Sequence, residues 1–306
     1  MALTYDQISA ITQKKYIPKL VDNIFDSNLL LKMLKEKSMM DVTGGTSIMT
    51  PLNYATTSAN GWFSGADTLD TTDNEVITSA EYQWKQSYAN ITIKRIDELK
   101  NSGDAAILNF VKSKTQIAEK TLADTIGTGL YNAGTDSKAI AGLRFACANT
   151  STLGGIDQST YSWWQCQKDS TTTTLTLSAL QTQYNAATID NDKPDIIVAT
   201  RANYNRYYNL LTPQQRFQDA KVAAAGFENL MFNGTPFSVD SKVPANHLFM
   251  LNSKYIHLCI HPDENFRFEP FVKPVNQNLK IAKIYFAGAL GFSNMRMQVM
   301  FSALAA

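Results

Sequence analysis

Between residues 5 and 37 apolar positions recur every three or four residues, at Ile8, Ile11, Ile17, Leu20, Val21, Ile24, Phe25, Leu29, Leu30 and Met33. That spacing predicts two short amphipathic helices, parted at Pro18, rather than strands. Lys14, Lys15, Lys19, Lys32, Lys35 and Lys37 fall on the polar sides. Helices this short cannot bury an apolar stripe on themselves, so the segment reads as an arm that needs a surface. From Gly44-Gly45 the period changes. Thr46 to Tyr54 reads as an outgoing strand and Ala80 to Ile93 as a returning one, the two joined through Gly61, Gly65 and the polar run Asp67 to Glu75. A long two-stranded ribbon is marginal in water. This one carries Trp62 and Phe63 near its tip.

The strongest helical signal runs from Asp104 to Tyr131. Ile107, Val111, Ala118, Leu122, Ile126 and Leu130 form one stripe, with Phe110, Ile117 and Ala123 beside it. Gly103-Asp104 can start this helix and Asn132-Ala133-Gly134 can end it. Its predicted length is about 42 Å, enough for a spine. After Gly142 the pattern is mixed: a Ser/Thr/Gly-rich loop from Leu153 to Thr174 containing Trp163-Trp164, a helix from Ser178 to Ala187, and a buried strand from Asp195 to Ala199. A helix from Thr200 to Leu211 follows, N-capped by Thr200 and stopped by Pro213. Short strands are expected at Thr235 to Asp240, His247 to Asn252, Tyr255 to Ile260 and Arg267 to Phe271, and one or two long ones between Lys280 and Leu304. The fold class is α+β.

The 306 residues carry 28 Lys+Arg and 27 Asp+Glu, so no global positive field attracts nucleic acid or anionic lipid. Charged residues make up 18%, few for a soluble chain, which favours association between copies. The charge is also unevenly placed. From Gly44 through Trp84 there is no lysine or arginine, while Asp67, Asp70, Asp73, Glu75 and Glu81 make the hairpin acidic. Cys147, Cys166 and Cys259 are odd in number and widely spaced, and are read as reduced thiols. No apolar window is long enough for a membrane span and no basic-then-apolar leader opens the chain.

Candidate chemistry is thin. His257, Cys259 and His261 would share one face of a strand and are zinc-ligand types, but successive ligands would stand about 6.6 Å apart on a single element, so an ordinary strand face is the preferred reading. No Gly-x-Ser-x-Gly, His-Glu-x-x-His or glycine-rich phosphate loop occurs. Asp190 with Asp192 and Asp263 with Glu264 sit in turn-like stretches. Trp163-Trp164 is read as packing before ligand platform. The expectation is therefore no enzyme, no catalytic residue, no metal and no cofactor.

The order of arm, acidic hairpin, spine helix, mixed domain and late strands resembles the major capsid protein of tailed bacteriophages, the Hong Kong 97 fold. Gly44-Gly45-Thr46-Ser47-Ile48-Met49-Thr50-Pro51-Leu52 followed by Gly61-Trp62-Phe63-Ser64-Gly65 looks like that family's extended loop. Glu98 to Asp104 looks like the lead into its spine helix, and Phe232 to Asp240 with Leu248 to Asn252 looks like a strand pair of its axial domain. The resemblance implies an N-terminal arm at 1–43, an extended loop at 44–95, a peripheral domain at 96–140 and 275–306, and an axial domain at 141–274. It further implies hexamers and pentamers closing into an icosahedral virion shell, assembled in the host cytoplasm around double-stranded DNA without sequence reading. A scaffolding protein, a portal at one vertex and a decoration protein are the implied partners, and no membrane. Because the chain opens at an ordinary Met1, separate scaffolding is expected rather than a removed leader.

In this layout arm and loop are lent to neighbours. Trp62, Phe63, Asp67, Asp70, Asp73 and Glu75 are the expected loop contacts, and Lys32, Lys35, Lys37, Arg95 and Lys100 the candidate acceptors. With no lysine in the loop before Lys85, no covalent lysine crosslink is expected from it. The alternatives are an encapsulin shell of the same fold, or a phage or cell-surface binding protein using the Trp163-Trp164 loop.

Overall fold

A computed structural model describes residues 28–100, 110–211 and 230–305. Two compact units divide the chain. The smaller takes its described residues from 87–100, 110–125 and 263–286, and the larger from 28–86, 126–211, 230–262 and 287–305. The first helical piece, the Pro18 break, the Asp104 start, Ile107 and Pro213 all lie outside the described residues.

The larger unit opens with helix α1 (Leu29–Lys37) and strand β1 (Met39–Asp41). Leu30, Leu31 and Leu34 are the buried stripe of α1, so this part of the expected arm lies on its own chain. Both ends are held by carboxylates. Asn28, in the cap position, makes no side-chain cap bond. Instead Asp240 reaches in from elsewhere in the chain: its Oδ2 accepts from the Leu30 N–H (3.1 Å) and the Tyr131 hydroxyl (3.1 Å), and its Oδ1 from the Lys242 N–H (2.8 Å). A carboxylate at a helix N-terminus also meets the positive end of the helix dipole. Burial, and then the charge of Asp240, push the Tyr131 phenol well above its ordinary pKa, keeping it a donor. At the other end Lys37 pairs with Asp195 at 2.7 Å, while the same carboxylate accepts from the Ser253 N–H and hydroxyl. β1 then runs parallel to β12 (Ile256–Val272), Met39 opposite Leu258.

The hairpin strands are β2 (Ile48–Asn53) and β3 (Ile77–Tyr82), paired antiparallel from Ile48 opposite Tyr82 to Asn53 opposite Ile77. Ile48, Leu52, Ala80 and Tyr82 form the buried face. The expected single returning strand is two. After Gln83-Trp84 the chain starts β4 (Lys85–Lys94), which joins a different sheet, of order β1, β12, β13 (Leu279–Phe292), β4. A strand can change partners only where its ladder is interrupted, and that interruption is what an unbroken β-type sequence hides.

The core of the larger unit is a mixed six-stranded sheet. Its order is β7 (Gln167–Asp169), β14 (Val299–Phe301), β11 (Leu248–Leu251), β8 (Ile196–Ala199), β10 (Thr235–Val239), β9 (Met231–Phe232). Helices α4 (Leu177–Ala186) and α5 (Arg201–Leu210) contribute Leu180, Tyr184 and Tyr207 to the same buried cluster as Ile197, Phe237, Met250 and Phe301. Thr176 and Thr200 cap these helices through their side chains, the second as expected. β7 and a two-stranded turn, β5 (Thr152–Leu153) with β6 (Ile156–Asp157), fall in the stretch read as loop. The two strands expected at 255–260 and 267–271 are one, β12, and β14 leaves the late strands for the six-stranded sheet.

In the smaller unit, Ala89, Ile91 and Ile93 of β4 and Ala282, Ile284 and Phe286 of β13 are buried at every second position. Short helix α2 (Arg95–Lys100) follows β4, and Arg95 donates its backbone N–H to Asn278. The spine helix α3 is described over Phe110–Gly129. It stops earlier than expected because its last turn tightens: the N–H groups of Tyr131 and Asn132 turn back to Thr128 and Gly129, and Gly134 continues in the left-handed region at φ 83°. Ala118, Leu122 and Ile126 are buried as the stripe predicts, while Val111 and Ile117 stay 43% and 48% exposed.

Removing the tertiary cap tests how firmly α1 is fixed. Asp240→Ala is expected to cost about 2–4 kcal/mol of unfolding free energy, because the Leu30 N–H and the Tyr131 hydroxyl lose a buried charged acceptor. Hydrogen exchange at Leu30 to Lys37 should accelerate together with the fall in the urea midpoint; unchanged exchange there would refute the role.

Candidate inter-subunit surface

The hairpin is fastened firmly at its root and bare at its tip. At the root the Trp84 Nε1–H donates to the Gly45 carbonyl at 3.1 Å, joining the two ends. The Tyr82 hydroxyl donates to the Phe292 carbonyl at 2.9 Å and accepts from the Phe292 N–H at 3.0 Å. Burial, above all, raises its pKa far beyond reach of neutral pH. The Glu81 N–H donates to the Gly154 carbonyl at 2.9 Å. Gly154 sits at φ 61°, where a Cβ would stand 2.8 Å from the Ala80 Cβ, so both its conformation and its closeness to the strand require glycine. Above these, Tyr54 stacks on Trp163 with centroids 5.1 Å apart and 21° between planes, and its hydroxyl donates to the Glu75 carbonyl. Trp163 therefore packs on the base of the hairpin, and buried Trp164 donates its indole N–H to Leu153.

Residues 61–73 are exposed throughout. Trp62 is fully exposed, Phe63 is 65% and Leu69 58% exposed. The polar part is ordered from within. Asp67 accepts from the Ser64 N–H at 2.8 Å, and Asp70 accepts from the Thr72 N–H and hydroxyl at 2.9 and 2.6 Å. The Thr72 hydroxyl and then its N–H hold the Asp70 carboxyl below its ordinary pKa. Among the described residues Asp67, Asp70, Asp73 and Glu75 form no ion pair. The tip thus presents aromatic and aliphatic side chains beside several carboxylates.

The candidate acceptors divide between the two units. Lys32, Lys35 and Lys37 lie on α1 in the larger unit, Arg95 and Lys100 on α2 in the smaller. Lys37 is paired with Asp195, and Arg95 with Glu98 at 2.8 Å, a carboxylate that also holds Lys280. Desolvation lowers the pKa of Lys35.

His257, Cys259 and His261 follow one another along β12, Cys259 buried and its thiol pushed up to about 11 by burial. His261 meets Trp84 edge-on at 5.8 Å. Among the described residues no group of three or more His, Cys, Asp or Glu is placed to hold a metal ion, and no helix is long and apolar enough to cross a membrane. Asp192 is taken up by Lys254 and Tyr255.

No protein-family model and no curated protein matches this sequence. Solved structures do. The capsid chain of cyanophage A-1(L) matches with a TM-score of 0.69 at 16% identity, covering 99% of both chains. The capsid of a native GTA particle matches at 0.71 and 11% identity, over 96% of this chain and 95% of that one. The chain has the Hong Kong 97-type capsid fold. The SrpI encapsulin of Synechococcus elongatus matches at 0.63 and 10% identity, over 100% of this chain and 97% of its own. On this capsid fold the fastening of the hairpin is the part that sequence reading missed. Tyr54, Tyr82, Trp84 and Gly154 carried only weak signals: aromatic residues at strand ends and a glycine pair in a loop.

Two outcomes check this geometry. Trp163→Ala is expected to weaken the hairpin root by about 1–2 kcal/mol and to raise hydrogen exchange at the Tyr54 amide, which donates to Val76, without unfolding the six-stranded sheet. Burial lowers the pKa of both His247 and His257 below 6.5. Below that value the unfolded chain takes up protons that the folded one refuses, so stability falls as pH drops from 7 toward 5. His257→Gln should flatten that slope; an unchanged slope would show that burial of His257 does not contribute.

Proposed function

We propose that this chain is the major capsid protein of a tailed bacteriophage, building an icosahedral head around double-stranded DNA from hexamers and pentamers of itself. The observation that carries the reading is the end-to-end likeness to a phage capsid chain, 99% of each covered, on a molecule whose hairpin tip is left bare. The hairpin is the extended loop laid across a neighbour, with Trp62, Phe63, Asp67, Asp70, Asp73 and Glu75 in the contact. The N-terminal arm, the acceptor role of Lys32, Lys35, Lys37, Arg95 and Lys100, and the peripheral and axial domains belong to the same proposal. So do a scaffolding protein, a portal, a decoration protein and assembly in the host cytoplasm. The shell role asks for no catalytic residue, and the near-neutral charge suits a wall that contains DNA without gripping it. The encapsulin match over the whole chain supports a second reading, a cellular nanocompartment of the same fold with protein cargo.

Electron microscopy and sedimentation of the chain, expressed alone and with a scaffolding protein, test the proposal. Closed icosahedral particles, or capsomers that close when scaffolding is added, are expected. A monomer, dimer or trimer under every condition would remove both shell readings, and particles filled with a protein cargo instead of DNA would favour the second. Reversing Asp67, Asp70 and Asp73 to lysine should lower shell yield and change its salt dependence.

A further inference from the structure

We infer that Cys147 and Cys166 are a latent disulfide pair, and that closing the bond staples the loop on which the root of the hairpin is fastened. Cys147 ends the helical turn Leu143–Ala146, and Cys166 stands directly before β7. Three side chains hold these two stretches side by side. Asn149 grips the Cys166 peptide from both directions, its Oδ1 accepting from the N–H at 3.0 Å and its Nδ2 donating to the carbonyl at 2.9 Å. Buried Gln158 donates to the carbonyls of Ala146 and Trp164 at 2.7 and 3.1 Å, and Lys168 donates to that of Ala148 at 3.2 Å. Within this frame the Cys166 thiol donates to the Cys147 carbonyl at 3.5 Å. Both cysteines are buried and in the thiol form. Burial first, and then a hydrogen bond with the Cys147 side chain, push the Cys166 thiol well above its ordinary pKa. The pair thus meets the main geometric demand on a disulfide, two cysteines brought together before the bond exists.

Burial also makes the pair latent. A protonated, enclosed thiol reacts slowly, so a reducing compartment leaves both sulfurs free and an oxidising one closes them. Hydrogen peroxide, little larger than water, is the oxidant assigned. One sulfur attacks it and the O–O bond breaks, giving a sulfenic acid and one water. The second sulfur then attacks the first, forming the S–S bond and releasing the hydroxyl, with the second thiol's proton, as another water. Two thiols lose two hydrogens, and the peroxide is reduced to two waters. The loop so closed, residues 147–166, carries Gly154, whose carbonyl accepts from Glu81, and Trp163, which stacks on Tyr54. Closing it removes disorder from the unfolded chain and fixes both seats of the hairpin. Cys259, on β12, is the internal control. On the capsid reading the bond would form only after the shell leaves a reducing host; the pairing itself does not rest on that reading.

Peroxide treatment of the folded chain at mildly alkaline pH, where more thiolate is present, tests the pair. After denaturation the titratable thiols should fall from three to one. The tryptic peptide of residues 145–168, which contains both cysteines, should be lighter by two hydrogens and take up no alkylating agent. Dithiothreitol should reverse both changes. The oxidised chain is expected to melt about 5 °C above the reduced one and to exchange the Glu81 amide more slowly. Cys147→Ser and Cys166→Ser should each abolish the bond and the melting shift, whereas Cys259→Ser should keep them. Three thiols that survive the treatment, sulfinic acid in place of the bond, or a bond that includes Cys259 would overturn the inference. A bond between Cys147 and Cys166 that leaves melting and Glu81 exchange unchanged would remove its role as a staple.

Discussion

A two-stranded ribbon has one face to bury and no third strand to bury it against. Everything about the hairpin of residues 48–82 follows from how that constraint is met. Its buried face is completed at the root by other parts of the same chain: the Tyr82 hydroxyl bridges both polar groups of Phe292, Gly154 lies against Ala80, and Trp163 lies on Tyr54. Each of these fastenings stands within the first few residue pairs or just beyond the last. Past Tyr54 the chain has no such support, and its large apolar side chains are left in solvent. The outcome is a firmly held base that carries an apolar tip in solvent, the kind of surface that marks a site of interaction.

The segment before the hairpin meets the opposite situation. Helix α1 is too short to persist by itself, and three buried leucines fix only one face of it. Its position is specified by two carboxylates far away in sequence, Asp240 at the N-terminus and Asp195 at Lys37. Asp240 is buried, and a buried carboxylate is tolerable only when donors surround it. The Leu30 amide, the Tyr131 hydroxyl and the Lys242 amide provide them, so one side chain links α1, the end of the spine helix and the end of β10.

A wall made of many copies does not need strong single contacts. Repetition multiplies a weak, geometrically fixed interaction into a closed shell, and weak contacts let misplaced subunits leave. On the proposed shell role the composition fits that regime: few charges, little net charge and acidity concentrated in the hairpin. In the proposed shell, screening by salt would act on the docking of subunits far more than on the fold, whose core sheet is apolar on both sides of β8 and β11.

Much of this was legible in the residue pattern. The α+β class, the helices after Thr176 and Thr200, the buried strand at 196–199, the stripe of Ala118, Leu122 and Ile126, and the acidic hairpin all follow from local periodicity, caps and charge, which act between residues close in sequence. Four features were decided only by tertiary structure. β4 parted from β3, β12 ran unbroken, β14 joined the six-stranded sheet, and α1 was claimed by Asp240 and Asp195. In each case the deciding partner is tens to hundreds of residues away, and a strand or helix terminus carries no local mark of which distant edge or carboxylate will satisfy it. Local pattern determined what each segment could become, and long-range hydrogen bonding and burial decided what each one was joined to.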